Sequence, residues 1–179
     1  MVSIKLTNHL QINKLLSKHQ YGFQRGLSTE HNLIHLTNFI GNALNNGNFC
    51  IGVFLDLRKA FDTCSHSILL TKLSKLGVNG VALQWFSSYL NNRYQCVEVN
   101  DTKSNNALID CGVFQGSILG PILFLCYIND IYTATDLATF ISQTILLALP
   151  NIKTSTPLSR MLTLNSKNLR CGSKQIGWP

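Results

Sequence analysis

Asp56 is a carboxylate set in an apolar run, GVFLDLRKAFD over residues 52–62. An anion in such surroundings needs hydrogen-bond donors or a cation beside it, so by itself the residue reads as a hydrogen-bonded structural group. GVFQGS, residues 112–117, is a small-residue loop ahead of an apolar run and reads by itself as a tight strand-to-helix turn. Trp85, Phe86 and Tyr89 could stack on bases, but their helical spacing favours core packing. His31 and His35 are four apart, yet no Glu completes an H-E-x-x-H zinc motif, and they read as ordinary helix histidines. The glycines at 112, 116 and 120 are followed by no Gly-Lys-Ser/Thr, which excludes a phosphate-binding P-loop.

The elements that must position these residues follow from periodicity. The first twenty residues suit an amphipathic helix using Ile12, Leu15 and Leu16. Ser28 or Thr29 can cap a helix over residues 30–45, where Leu33, Leu36, Ile40 and Leu44 recur at helical spacing before NNGN ends it. Residues 49–57 are apolar on both faces and fit a central strand with Asp56 near its end. A helical hairpin follows, its first arm carrying Ile68, Leu69, Leu73 and Leu76 up to Gly77, its second running from Gly80 past Tyr89. Residues 94–100 and 107–112 form a β-hairpin, and a helix begins at Ile118 with Pro121 in its first turn. Residues 137–149 supply one or two strands, a domain is drawn over residues 1–150, and the polar tail over 151–179 has little periodicity.

Of the 179 residues 45% are hydrophobic, ample for a packed core rather than a disordered chain. Fifteen Lys and Arg against eight Asp and Glu give a net charge of +7, which favours a polyanionic partner, nucleic acid first. The tail cations Lys153, Arg160, Lys167, Arg170 and Lys174 read equally as phosphate contacts or solvated surface. Cys50, Cys64, Cys96, Cys111, Cys126 and Cys171 form no C-x-x-C pair and read as reduced core thiols of an intracellular protein. The polar N-terminus MVSIKLTNHLQINK has no signal-peptide h-region. The longest apolar run, residues 118–128, falls short of the ~20 residues that span a bilayer, so no membrane partner is expected.

FLDLRKAFDT, residues 54–63, resembles the first palm motif of non-LTR retrotransposon reverse transcriptases of the jockey type. The resemblance extends over QYGFQRGLST (20–29), residues 66–100 and GVFQGSILGPILFLCYINDI (112–131), in the family's order and approximate spacing. It implies an RNA-directed DNA polymerase with an α+β fold: a palm whose antiparallel sheet is backed by helices, plus part of the fingers. The implied partners are an RNA template and a DNA primer, and the implied reaction is nucleotidyl transfer with two Mg²⁺ ions roughly 4 Å apart among hard oxygen ligands. By the same resemblance Asp56 is the catalytic metal ligand, and Leu57 lends its backbone carbonyl. Phe61 is the bulky residue that crowds a ribose 2′-hydroxyl, while Gln115, Gly116 and Ser117 line the nucleotide and template pocket. Asp62 also matches, as a structural cap. Nuclear action on genomic DNA is a further expectation from the family.

The departures from the family pattern fall on the chemistry. Where relatives carry Phe or Tyr, Ala, Asp, Asp, this chain has Phe140, Ile141, Ser142 and Gln143. A neutral hydroxyl and amide cannot supply the anionic oxygens that hold two divalent cations, and Asp56 is left as the only matched carboxylate. Asp130 belongs to the family's Ile-Asn-Asp helix end and Asp136 precedes the hairpin, so neither is expected to substitute. Phe114 replaces the family's usual proline and Gln24 its usual arginine. Neither the fingers strand that brings an arginine to the triphosphate nor a thumb is recognisable. The expectation is a truncated, degenerate reverse transcriptase domain, inactive as this chain. The alternatives are a catalytically dead nucleic-acid-binding module and a transposon relic without function.

Overall fold

The computed structural model describes residues 1–152 except Arg25, Asp56, Arg58, Thr135, Asp136, Gln143 and Thr144, with the backbone alone at Ala134 and over 145–152. In chain order the elements are α1 (Val2–Ile12), α2 (Thr29–Asn45), β1 (Phe49–Leu55), α3 (His66–Lys75), α4 (Gly80–Leu90), β2 (Arg93–Gln95), β3 (Glu98–Val99), β4 (Thr102–Lys103), β5 (Ala107–Ile109), α5 (Leu119–Ile128), a 3₁₀ turn (Ile131–Ala134), β6 (Ala138–Ile141) and β7 (Ile145–Ile152). The chain divides into two compact units, one of Met1–Leu15 with Lys59–Tyr127, the other of Leu16–Arg58 with Ile128 onward.

The first unit is built on the expected helical hairpin. His66, Leu69 and Leu73 lie on one stripe of α3 and are buried, and Phe86 and Leu90 are the buried residues of α4. Gly77 (φ 84) terminates α3 in a Schellman arrangement: Val78 N donates to Leu73 O and Gly77 N to Ser74 O. α1 joins this end of α3, because His9 Nε2 donates to Leu76 O at 2.8 Å. Its buried residues are Leu6 and Leu10, not the expected stripe of Ile12, Leu15 and Leu16, and Ile12 is 79% exposed. The helix stops earlier than periodicity indicates because Asn13 bonds back to His9 O through both its backbone N–H and its side chain, and Lys14 turns left-handed at φ 50.

The expected β-hairpin forms in two short ladders. β2 pairs with β5 and β3 with β4, both antiparallel. Asn100 and Asp101 have φ of 47 and 61, the left-handed pair that a tight hairpin turn requires and that Asn and Asp tolerate. Ser104 bridges the gap between the ladders, its N–H donating to Val97 O and its Oγ accepting from Val97 N. α5 is apolar on every side and buries all of Leu123, Phe124, Leu125, Cys126, Tyr127 and Ile128.

In the second unit β1, β7 and β6 form an antiparallel sheet in that order, with α2 packed against all three strands. This is a sheet backed by a helix, as an α+β chain requires. Phe140 anchors the packing among Leu36, Phe39, Cys50 and Ala138, its ring meeting Phe39 edge-on at 5.6 Å. Ser28 caps α2, its side chain accepting from His31 N. The buried face of α2 is rotated from the expected stripe: Ala43 is buried, whereas Leu33 and Leu44 are each 59% exposed. β1 is likewise not central among the described strands. Among the described residues it is paired on one side only, and its Phe54 is 72% exposed.

The cysteines divide rather than share a core. Cys64 and Cys126 are buried and Cys50 is half-buried, but Cys96 and Cys111 are exposed; Cys171 lies outside the described residues. Two measurements check this packing. Leu69→Ala, at a fully buried position, lowers unfolding free energy by about 2–5 kcal/mol in urea denaturation. Burial pushes the Cys126 thiol up to about 12, so at about pH 8 iodoacetamide labels Cys96 in the folded protein and leaves Cys126 unmodified until denaturant is added.

Candidate functional site

In the second unit the sheet register brings together the segments on which the sequence reading centred. Leu55, the last residue of β1, is opposite Ile145, and Ile145 is also opposite Ile141, the last residue of β6. The chain entering Asp56 therefore lies beside the chain flanking residues 142–144. Asp56 and Gln143 themselves fall outside the described residues. Leu57 and Ser142 are described and half-buried.

The end of β6 is held by the start of the stretch 20–29, to which the sequence reading assigned no secondary structure. Tyr21 N donates to Ile141 O at 2.6 Å and Ile141 N donates to His19 O at 2.9 Å, which adds Gln20 to the sheet as a parallel bridge. Gln20 is 2% exposed, and its Nε2 donates to Gly22 O at 2.9 Å. Gln24 in turn donates its side-chain amide to Gln20 O at 2.9 Å and braces this segment. Gly22 passes so close to β6 that an added Cβ would lie 2.7 Å from Ser142 O. The Tyr21 hydroxyl pairs with His35 Nδ1 at 3.1 Å on α2, and burial raises the Tyr21 pKa. Gly22 and Gln20 thus lie in a stretch that carries the resemblance, but sequence reasoning gave neither a role. The only signal was a bare glycine beside an aromatic residue, because the requirement for it comes from a strand far along the chain.

In the first unit the loop over residues 112–117 is tied to the segment that follows Lys59. Gly112 N donates to Cys64 O and Val113 N to Phe61 O, each at 2.7 Å. Gly112 sits at φ 94, and a Cβ there would be 3.0 Å from the Asp62 backbone. His66 Nε2 donates to Gly112 O at 2.8 Å. Gln115 Nε2 donates to Asp62 Oδ1 at 2.9 Å, so two residues expected to matter from the resemblance form a latch between the loop and the segment after Lys59. Phe61 packs its ring on Phe124 at 4.7 Å.

The loop closes as a turn from Phe114 to Ser117. Ser117 donates through N and Oγ to Phe114 O, at 3.3 and 2.8 Å, and its Oγ accepts from Gly120 N at 2.9 Å. Gly116 occupies the third position at φ 77, where a left-handed residue is needed. An added Cβ at Gly116 would meet nothing within 4 Å, so its backbone conformation, not crowding within the chain, calls for glycine. Phe114 sets its ring edge-on to Tyr89 at 5.3 Å, and the Arg93 guanidinium lies 5.8 Å from both rings.

Among the described residues no group of three or more His, Cys, Asp or Glu is placed to hold a metal ion. No described helix is long and apolar enough to cross a membrane.

Comparison with known proteins agrees with the motif pattern. Residues 1–148 match the family described as Reverse transcriptase (RNA-dependent DNA polymerase). The probable RNA-directed DNA polymerase from transposon BS of Drosophila melanogaster is 33% identical over 134 residues, covering 73% of this chain and 14% of that protein. The RNA-directed DNA polymerase from mobile element jockey of the same organism is 34% identical over 137 residues, 76% of this chain and 15% of that protein. The probable RNA-directed DNA polymerase from transposon X-element, also from Drosophila melanogaster, is 29% identical over 147 residues, 78% of this chain and 16% of that protein. The chain thus spans a small fraction of the length of these relatives.

A pair of glycine substitutions tests the close approach at the end of β6. Gly22→Ala destabilises by about 1–3 kcal/mol, since the methyl has backbone on its path and no flexible side chain to displace. Gly41→Ala, inside α2 with open space around it, stabilises by about 0.5–1 kcal/mol. Urea denaturation of both variants reads the opposite signs.

Proposed function

The chain belongs to the reverse transcriptase family, and we propose that it is palm with part of the fingers from a non-LTR retrotransposon polymerase, silent in nucleotidyl transfer but competent to bind nucleic acid. The observation that carries this reading is the register of the sheet. Leu55 opposite Ile145, itself opposite Ile141, supports assigning β1 and the β6–β7 turn to the two motifs that bear the carboxylates in this family.

The donor set does not fit the metals. Two Mg²⁺ ions require clustered anionic oxygens, and the matched positions offer one carboxylate at Asp56, a carbonyl at Leu57, a hydroxyl at Ser142 and an amide at Gln143. Neutral donors leave too little charge to hold two dications against their hydration, so no step of transfer is assigned to this centre. What remains is binding. Gln115, oriented by Asp62, and Gly116 form the nucleotide-side loop, and Phe61, supported by Phe124, is the bulky residue beside the sugar. The net charge of +7 supports retention of phosphate binding.

Primer extension on an RNA template with Mg²⁺ or Mn²⁺ yields no incorporation by the folded wild-type chain. Incorporation abolished by Asp56→Ala would overturn the reading, because another acid would then complete the centre. Terbium luminescence gives a positive readout that does not depend on turnover. Ser142→Asp with Gln143→Asp tightens Tb³⁺ binding by about tenfold or more through added anionic ligands, and Asp56→Ala in that background removes the gain.

A further inference from the structure

α4 carries Trp85 and Tyr89 one turn apart, and Arg93 follows after a further four residues. The structure makes them a continuous row. Trp85 and Tyr89 are stacked, 10° from parallel with centroids 5.4 Å apart. The Arg93 guanidinium stands 5.8 Å over Tyr89, and its Nε donates to Tyr89 O at 3.1 Å. Phe86 meets the indole edge-on at 5.1 Å. Helical spacing favours a core role for all three aromatics, yet the core takes only Phe86, at 3% exposure, and leaves Trp85 at 41%.

Trp85 also lines a cleft of about 450 Å³ that α4 forms with α1 and the residues after α3. Its walls include Val78, Val81 and Phe86, and among the described residues its only ionisable side chains are Lys5 and His9. The aromatic row is therefore flanked by cations on the cleft side and at its Arg93 end. A volume of this size admits a nucleobase with its sugar. A π-face held rigid by its neighbours, with ammonium and guanidinium groups within reach and no carboxylate lining the cleft, is the chemistry that captures an unpaired polynucleotide strand. A duplex keeps its base faces stacked internally and cannot use an indole face. A partner that is merely apolar would gain nothing from Lys5 and Arg93.

We propose that Trp85, backed by Tyr89 and Arg93, stacks an unpaired base of a single-stranded nucleic acid in the cleft between α1 and α4, with Lys5 and Arg93 facing its phosphates. The proposal rests on retained nucleic-acid binding and adds where the strand lies and in what form. Pre-stacking of the row before a ligand arrives lowers the ordering cost of binding.

The test uses the full chain with Trp178→Phe, which leaves Trp85 as the only indole, in EDTA so that no metal chemistry enters. Oligo(dT) of about ten nucleotides quenches Trp85 fluorescence, and an abasic strand of equal length and charge does not. Trp85→Ala weakens oligo(dT) binding, read by anisotropy of a labelled strand, by about tenfold, while Trp85→Phe retains most of it. Lys5→Ala lowers the slope of log affinity against log salt by about one. Equal quenching by the abasic strand, or unchanged binding by Trp85→Ala, would overturn the base-stacking site while leaving general nucleic-acid binding intact. A folded chain that binds neither strand would overturn both readings together.

Discussion

The second unit depends on one close approach. Gly22 packs against the Ser142 carbonyl at a distance that admits no side chain, and it does so because His19 and Tyr21 are hydrogen-bonded to Ile141 on either side of the buried Gln20. That bridge fixes the end of β6, the antiparallel register fixes the start of β7 against it, and β7 in turn fixes the end of β1. A side chain at position 22 would have to move backbone, which is costlier than moving a side-chain tip. The local support is polar: Gln20 Nε2 on Gly22 O and Gln24 Nε2 on Gln20 O satisfy carbonyls in a segment without regular structure of its own.

The first unit meets a similar constraint at Gly112, where the crowding comes from the Asp62 backbone and φ is positive as well. The hydrogen bonds that hold this loop divide by environment. The Gln115 to Asp62 latch is exposed and contributes little to stability. The buried His66 to Gly112 bond matters more, because losing His66 would strand a carbonyl away from water. Orientation of Gln115 and stability of the loop thus rest on different groups. The latch can therefore change without unfolding the loop beneath it.

How much of this was legible in the sequence depended on how local its cause was. The α3–α4 hairpin was readable because its apolar stripe and Gly77 sit within a few residues of the structure they specify. The Ser28 cap and the Asn100–Asp101 turn were readable for the same reason. β1 misled because a strand apolar on both faces resembles a central one, whereas its position in the sheet is set by where β7 pairs. Trp85 misled because helical spacing gives a face but not which residue at its margin stays in the core. Gly22 could not be read at all from its neighbours, since the atoms that exclude a side chain belong to Ser142, 120 residues away.

In the proposed reading, loss of carboxylates at this centre costs the fold nothing. Paired aspartates beside a third repel one another unless cations are bound, and clustering like charges raises the free energy of the metal-free chain. In the proposed reading a hydroxyl and an amide at positions 142 and 143 remove that repulsion, and the described one of the two, Ser142, is half-buried. Among the described residues, the backbone bonds that hold Ile141 and the approach of Gly22 to Ser142 involve no carboxylate. The proposed nucleic-acid binding draws on a different resource, the cations and aromatic faces of α1, α4 and the hairpin that begins at Arg93. Catalysis and binding therefore decay independently in the proposed reading: the first needs a few anionic oxygens in fixed geometry, the second a diffuse positive surface and one open ring.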